Sequence, residues 1–350
     1  MYRKEFIRFY GFLGIGQAGG NITKKFELAG YPCLVANSST EDLRTRNAKN
    51  KLHFRGGQGC HKDRRKSKLL LKENMQSLIA EIKTKMPGIT TLFICASAAG
   101  GTGSGMLAAV ARILKAELDI NICIVTVLPD KTENYQSYSN TVELFQELEK
   151  LDCIGAVFIL DNNYGDKLVI NDIFFTHLNA LLMNENGSKY GCLDRSEINN
   201  LLSTPGMATI AKISKDNEDK IIPALVSSNI YAPLEDNKVV KYIGYMSGRS
   251  KVTLDQLYSE VGTPIDTYIG TNAPANVCML AGLTYPKKRL NEIMEQAKSN
   301  AEMIQRNMKE ADDSLFGDTE NMGFLNAFSD GPSKKEEKSP SIEDMMNEFL

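Results

Sequence analysis

The sequence predicts an α/β protein: an N-terminal Rossmann-like parallel-sheet domain, a long connecting helix, a smaller C-terminal α/β domain, and a long terminal helix followed by a disordered tail. Three observations predict it. Short apolar β-rich runs alternate with helical patterns through the first half, the layout of a parallel sheet covered by helices. Two glycine-rich segments, Gly14–Gly20 and Gly100–Gly105, each sit where such a run gives way to a helix. Near the end, Leu290, Ile293, Met294, Ala297, Ala301, Ile304 and Met308 recur at helical spacing over Lys287–Asp312.

Taken in order, strands are expected near Ile7–Ile15, Cys33–Ala36, Thr91–Ala96, Asn121–Leu128 and Ala156–Leu160, with helices near Gly20–Leu28, Lys66–Lys85, Gly103–Leu118 and Asn140–Lys150. Runs such as Cys123–Leu128 suit strands covered on both faces, and ligands of such sheets sit at the carboxyl ends of the strands. From Asn171 an apolar-periodic helix passes through Ile173, Phe174, Leu178, Leu181 and Leu182 until Asn186-Gly187. It places a connector over residues 169–190, between a first domain of residues 1–168 and a second of residues 191–285. In the second, Met207–Ile213, Val239–Tyr245, Asp266–Ile269 and Asn276–Leu283 read as strands, and Glu218–Ser227 and Thr253–Glu260 as helices. The terminal helix takes residues 286–312. Residues 313–350 hold nine acidic and three basic residues with Gly, Ser and Pro, the composition of a disordered tail. Its end, Ser341–Leu350, starts like a capped amphipathic turn and reads as a docking segment.

Composition narrows the classes. At 350 residues, 42% hydrophobic and 24% charged, the chain has material for two packed cores. A formal net charge of -2 gives no whole-protein field toward nucleic acid or an anionic membrane, so neither direct specific DNA contact nor membrane contact is expected. No segment approaches the roughly 18 apolar residues of a membrane span, and the opening residues do not form a signal peptide, which predicts the cytoplasm. None of the seven cysteines is spaced as C-x-x-C, and several lie in apolar β-rich runs, so reduced, mostly buried thiols are expected. His53, His61 and His177 lack cysteine or carboxylate partners at ligand spacing, so no protein-held metal site is expected.

The chemistry is carried by the glycine segments. Leu13-Gly-Ile-Gly-Gln-Ala-Gly-Gly-Asn21 leaves a strand and opens a helix, where glycines let phosphate oxygens approach backbone N–H groups at the positive helix end. Alone it also fits a dinucleotide fingerprint, Gly14-x-Gly16-x-x-Gly19, and hence an NAD-dependent enzyme. The second strand, however, ends in Asn37-Ser-Ser-Thr40, with a carboxylate only at Glu41. Ala98-Ala-Gly-Gly-Thr-Gly-Ser-Gly105 repeats the strand-to-helix placement, and two phosphate cradles imply a polyphosphate. Thr102 and Ser104 offer hydroxyls as well, and the phosphate-loop pattern G-x-x-x-x-G-K-[ST] is absent. The competing reading of the second cluster is a close helix–strand crossing.

Ala99-Gly-Gly-Thr-Gly-Ser-Gly105 resembles the signature of the tubulin/FtsZ superfamily, and Gly16-Gln-Ala-Gly19 is similar to tubulin's first phosphate turn. The resemblance extends over about residues 7–310. The divergence, short second domain, terminal helix and acidic tail look most like the TubZ branch, tubulin-like GTPases of plasmid and phage partition, with a division-type FtsZ as the alternative.

The resemblance implies a tubulin/FtsZ-like fold and a GTPase that builds dynamic head-to-tail filaments of itself, using GTP, GDP and Mg2+ in a bacterial host cytoplasm. It implies that Gly16, Gln17, Ala18 and Gly19 cradle the diphosphate, that Gly100, Gly101, Thr102, Gly103, Ser104 and Gly105 hold the phosphate chain, and that Asn37 lies beside the nucleotide. Gly56–Gly59, with Gly57 at its centre, looks like the loop that senses the terminal phosphate; Arg55, Lys62, Arg64 and Arg65 beside it could offset charge. Glu133 takes the ribose position, Ser137 stands where FtsZ has an arginine, and Asn162 or Asn163 with Asn171 match the guanine-binding asparagines. Asp194 and Glu197 match the catalytic acids, which act on the neighbouring subunit's nucleotide; Cys192 replaces the family's asparagine. Helix capping is the plain reading of Asp194 and Glu197, and of Asn171. The acidic tail is the expected contact for a basic, DNA-bound adaptor protein.

Overall fold

The computed structural model describes residues 6–183, 192–227, 229–312 and 342–349. The first half alternates β1 (Tyr10–Ile15), α1 (Gly16–Ala29), β2 (Cys33–Asn37), α2 (Thr40–Thr45), β3 (Lys51–His53), α3 (Arg64–Lys85), β4 (Thr91–Ser97) and α4 (Thr102–Leu118). It continues with β5 (Asn121–Leu128), α5 (Tyr135–Leu148), β6 (Ala156–Asp161) and α6 (Lys167–Leu182). Then come α7 (Arg195–Ser203), β7 (Gly206–Ser214), α8 (Ile221–Val226), β8 (Tyr242–Met246), α9 (Asp255–Val261), β9 (Asp266–Gly270) and β10 (Ala275–Leu283). The last helices are α10 (Lys287–Asp312) and α11 (Ile342–Asn347).

All these strands share one sheet in the order β3-β2-β1-β4-β5-β6-β7-β10-β8-β9. From β3 to β7 the pairing is parallel, so the carboxyl ends of β1–β6 form one edge and their amino ends the other. The second half joins without a break: β7 pairs with β6 through Ala156↔Gly206 and Phe158↔Ala208, then turns antiparallel to β10. The core is continuous from Phe12 to Met279, and an aromatic stack runs through it, with Phe12 against Phe26 at 3.9 Å and against Phe93 at 4.7 Å.

Several boundaries differ from expectation for local reasons. Residues 6 and 7 are helical, and the first strand starts at Tyr10. The connecting helix starts at Lys167, because the Asp166 carboxylate accepts from the N–H groups of Leu168 and Val169; Asn171 is therefore a buried second-turn residue and not the cap. The expected helix end at Asn186-Gly187 lies outside the described residues, as does most of the tail. The helix expected over Glu218–Ser227 is divided between a 3-10 stretch at Lys215–Lys220, kinked at Asn217, and α8, which starts at Ile221. Both β3 and α2 escaped the sequence reading, being three and six residues long. In α10 the first turns pack, with Ile293 fully buried, but Met303, Ile304 and Met308 remain exposed. Periodicity announced the helix without saying how much of it is covered.

Candidate functional site

The carboxyl edge gathers both glycine turns. What singles out α1 and α4 is how they begin: Ile15 and Gly101 supply no side-chain cap. The other helices around this edge are capped, α2 by Ser39, α3 by Asp63, α5 by Asn134 and α6 by Asp166. Two bare N-termini on one edge present backbone N–H groups and the positive ends of two helix dipoles. Such a pair suits an anion.

The glycines divide into two roles. At Gly19 an added Cβ would lie 2.0 Å from the Cys95 carbonyl oxygen, and at Gly105 it would lie 1.9 Å from Ser67 Oγ. These positions are glycine because α1 crosses β4, and α3 crosses α4, at backbone contact. Gly101 is held the same way against Lys62, and Gly103 against Ala96 and Ile15. Gly16 has a left-handed φ of 72°, and Gly100 meets nothing closer than Ser97 at 4.0 Å. The close-crossing reading thus explains much of the motif; Gly16 is buried and is glycine for its φ, while Gly100 and Ala18 are half-buried and Gln17 is exposed.

The hydroxyls of the second cluster are already engaged. Ser38, fully buried, shares a 2.7 Å hydrogen bond with Thr102. Ser104 accepts from Arg64 Nε at 2.9 Å, and that buried guanidinium also pairs with Glu143 at 2.7 Å and Glu147 at 2.5 Å. Arg64 therefore clamps α3, α4 and α5 together and is not a surface cation. Gly57, buried in the Gly56–Gly59 loop, is pinned too: Gly59 N–H donates to the Ser38 carbonyl, and the Gly57 carbonyl accepts from His53 Nε2 at 2.9 Å.

Lys62 closes the loop in another way. Its carbonyl accepts from Asn140 Nδ2 at 2.9 Å, and the same amide group reaches the Gly100 carbonyl at 3.0 Å. Its ammonium lies 3.3 Å from Glu133 and against Ser137, where FtsZ has an arginine. Glu133 is also 3.0 Å from Lys167, which reaches Asp130 at 3.4 Å. Burial pushes the Glu133 carboxyl up, but bonds from Lys167 and Ser137 outweigh it and leave its pKa below the usual value. Asp130 is lowered chiefly by the Thr132 hydroxyl.

The Tubulin/FtsZ family, GTPase domain, matches residues 11–166. This stretch is similar to the GTPase domain of that family. Over 298 residues the chain is 29% identical to the tubulin-like protein TubZ of Clostridium botulinum C phage, covering 81% of this chain and 82% of that protein. The crystal structure of Clostridium botulinum phage c-st TubZ is similar at a TM-score of 0.76, 24% identity, 86% of this chain and 99% of that one. A GTPγS-form protofilament of Bacillus thuringiensis serovar israelensis TubZ is similar at a TM-score of 0.69, 21% identity, 87% of this chain and 94% of that one.

The remaining expected residues fall into place unevenly. Asn37 spends its amide on Asp42 and Ser39, and lines a cleft of about 250 Å3 with Gly16, Gln17 and Arg46. Arg46, missed in the sequence because it follows the unforeseen α2, donates to Asn21 Oδ1 at 2.8 Å and to the Gly20 carbonyl. Asn163 Oδ1 accepts from Lys131 N–H at 3.0 Å, whereas Asn162 Oδ1 is buried with no hydrogen-bond partner among the described residues. Asp161 holds this turn by accepting from Asn163 N–H and is itself gripped by buried Arg289 of α10, Nε to Oδ2 at 2.7 Å. Arg289 also donates to the Pro129 carbonyl at 3.0 Å. No local motif marks that pair, whose members are far apart in sequence.

Asp194 and Glu197 do not join this edge. They form a reciprocal capping box at the start of α7: Glu197 N–H donates to Asp194 at 2.8 Å, and Asp194 N–H donates to Glu197 at 2.7 Å. At that start, Arg195 stacks over Phe9 at 3.5 Å, one residue before β1 begins, while at the helix end the Leu202 carbonyl accepts from Cys123 Sγ near the start of β5. The acid pair is thus at the amino edge, about 20 Å from the glycine turns for a six-residue strand.

Proposed function

We propose that this protein hydrolyses GTP to GDP and phosphate and polymerises head-to-tail into filaments, each subunit's acid pair completing hydrolysis on its neighbour's nucleotide. One observation carries the reading: the bare helix starts that suit a polyphosphate and the carboxylates able to orient water lie at opposite edges of one sheet. No single chain can close that distance, but stacking two copies end to end brings unlike edges together. Such a heterologous contact propagates as an open filament. The protofilament and the two-stranded filament of Bacillus thuringiensis TubZ, both built on this fold, support it.

Within the site, backbone N–H groups of Gly16–Gly19 and of the Gly100 turn bind phosphates, Gly57 lies toward the terminal phosphate, and Glu133 takes the ribose. Asn162 presents the unused acceptor for a guanine N–H, beside Asn163 and Asn171. Among the described residues no group of three His, Cys, Asp or Glu could hold a metal ion. Mg2+ would ride on phosphate oxygens and water, as it does where proteins supply few ligands, and would neutralise developing charge. Asp194 and Glu197 orient the attacking water across the joint.

The filaments would move plasmid or phage DNA, with the acidic tail taking a basic DNA-bound adaptor; similarity to a phage TubZ supports the role. Removing residues 331–350 then abolishes adaptor pull-down while GTP binding persists. For hydrolysis, the test is phosphate release at rising protein concentration alongside Glu197→Ala. The expected result is a steeper than linear rise for the wild type, and a variant that pellets with GTP but turns over orders of magnitude more slowly. A linear rise, or undiminished turnover in the variant, contradicts the shared site.

A further inference from the structure

The end of the chain is seated on the GTPase domain. Helix α11 packs against α3 and α4, with Met345 4%, Met346 1% and Phe349 8% exposed, as deeply covered as the sheet core. The rim is polar and complementary in charge. Arg112 of α4 pairs with Glu348, and Lys72 of α3 donates to Asn347 Oδ1 at 3.0 Å. Residues 341–350 include Glu343, Asp344 and Glu348 and no basic residue. A helix of six residues has no stability of its own, so the face that receives it also forms it. Methionine adapts to an irregular apolar floor, and phenylalanine anchors the end of the segment.

We propose that the α3–α4 face is a receptor for the chain's own terminal segment, and that docking in cis withholds the tail from other ligands. The apolar burial of three side chains is small, and ordering the segment offsets much of it. The dock is therefore weak and readily left. A tethered segment faces its receptor at an effective concentration on the order of millimolar, which keeps a weak dock mostly filled. Any ligand that grips Met345, Met346 or Phe349 has to displace the segment first, so affinity for the tail is set by the face as well as by the ligand. Nothing here depends on which nucleotide the domain binds.

A fluorescent peptide of residues 339–350, titrated by anisotropy against full-length proteins, tests the dock. Met346→Glu releases the chain's own segment and leaves the face open, so the peptide binds that protein roughly tenfold more tightly than wild type, whose face is occupied. Adding Arg112→Glu to Met346→Glu weakens the peptide again. Phe349→Glu serves as a second release variant should Met346→Glu fold poorly, circular dichroism deciding which is used. Equal affinity for wild type and the release variant overturns the proposal, as does a release variant that does not bind the peptide. A wild-type affinity that tightens on dilution assigns the segment to a second copy and overturns docking in cis.

Discussion

At the carboxyl edge of the sheet α1 and α4 begin with bare backbone N–H groups, whereas at the amino edge α7 begins with its N-cap and N3 positions filled by carboxylates. The difference is one of completeness. A capping box satisfies its own donors and is stable as it stands. Two uncapped starts leave donors to water or to a ligand, so that edge is able to take an anion. At the other edge Asp194 is exposed and Glu197 half-buried, and each carboxylate has spent one oxygen on the cap.

Substitutions can break or sharpen this contrast. The largest stability effect belongs to Arg289→Met, which strands the buried Asp161 carboxylate under the Asn162–Tyr164 turn: a loss of about 3–5 kcal/mol in denaturant unfolding is expected. Next is a control between the edges. Burial drives the pKa of His177 down to about 4, and its Nδ1 lies 3.0 Å from the Ile210 carbonyl. A depressed folded value means the unfolded chain takes the proton first, so stability is complete above the unfolded value near 6.5 and declines as pH falls toward 4. The expected loss is about 3 kcal/mol, present in wild type and missing from His177→Gln in paired unfolding curves at pH 7 and pH 4.

Ala18→Asp then separates ligand from fold. A carboxylate in the first turn of α1 suits the helix dipole, so stability without nucleotide holds or rises by a few tenths of a kcal/mol, while GTP affinity by calorimetry falls about 100-fold from repulsion. Unchanged affinity would mean the bare start is not the phosphate site. The smallest effect is at the other edge: Asp194→Ala removes one cap and costs about 1 kcal/mol with GTP affinity unchanged.

Much of the fold was legible in the sequence because periodicity and glycine placement are local signals: β4, α4 and α10 fall where Thr91–Ala96, Gly103–Leu118 and Lys287–Asp312 were expected. The short β3 and α2 carry too few residues for a period. The glycine turns were legible as turns, but their division was not. Whether Gly105 binds phosphate or permits α3 to touch α4 depends on Ser67, a residue far off in the chain. Likewise Thr102 and Ser104 looked available until Ser38 and Arg64 were seen to hold them. Asp194 and Glu197 are capping residues here, and nothing local in the sequence shows that they stand at the edge opposite the glycine turns. Asn140, Lys167 and Arg289 left no signal, since each acts across elements that only folding brings together.

The complementary edges can be tested by mixing two crippled proteins. Ala18→Asp keeps the acid pair but loses nucleotide, and Glu197→Ala keeps nucleotide but loses an acid. Each alone should release almost no phosphate, and the equimolar mixture should release it well above the sum of the two, because one joint in the mixed assembly has both halves. A mixture no faster than that sum contradicts a site shared between subunits.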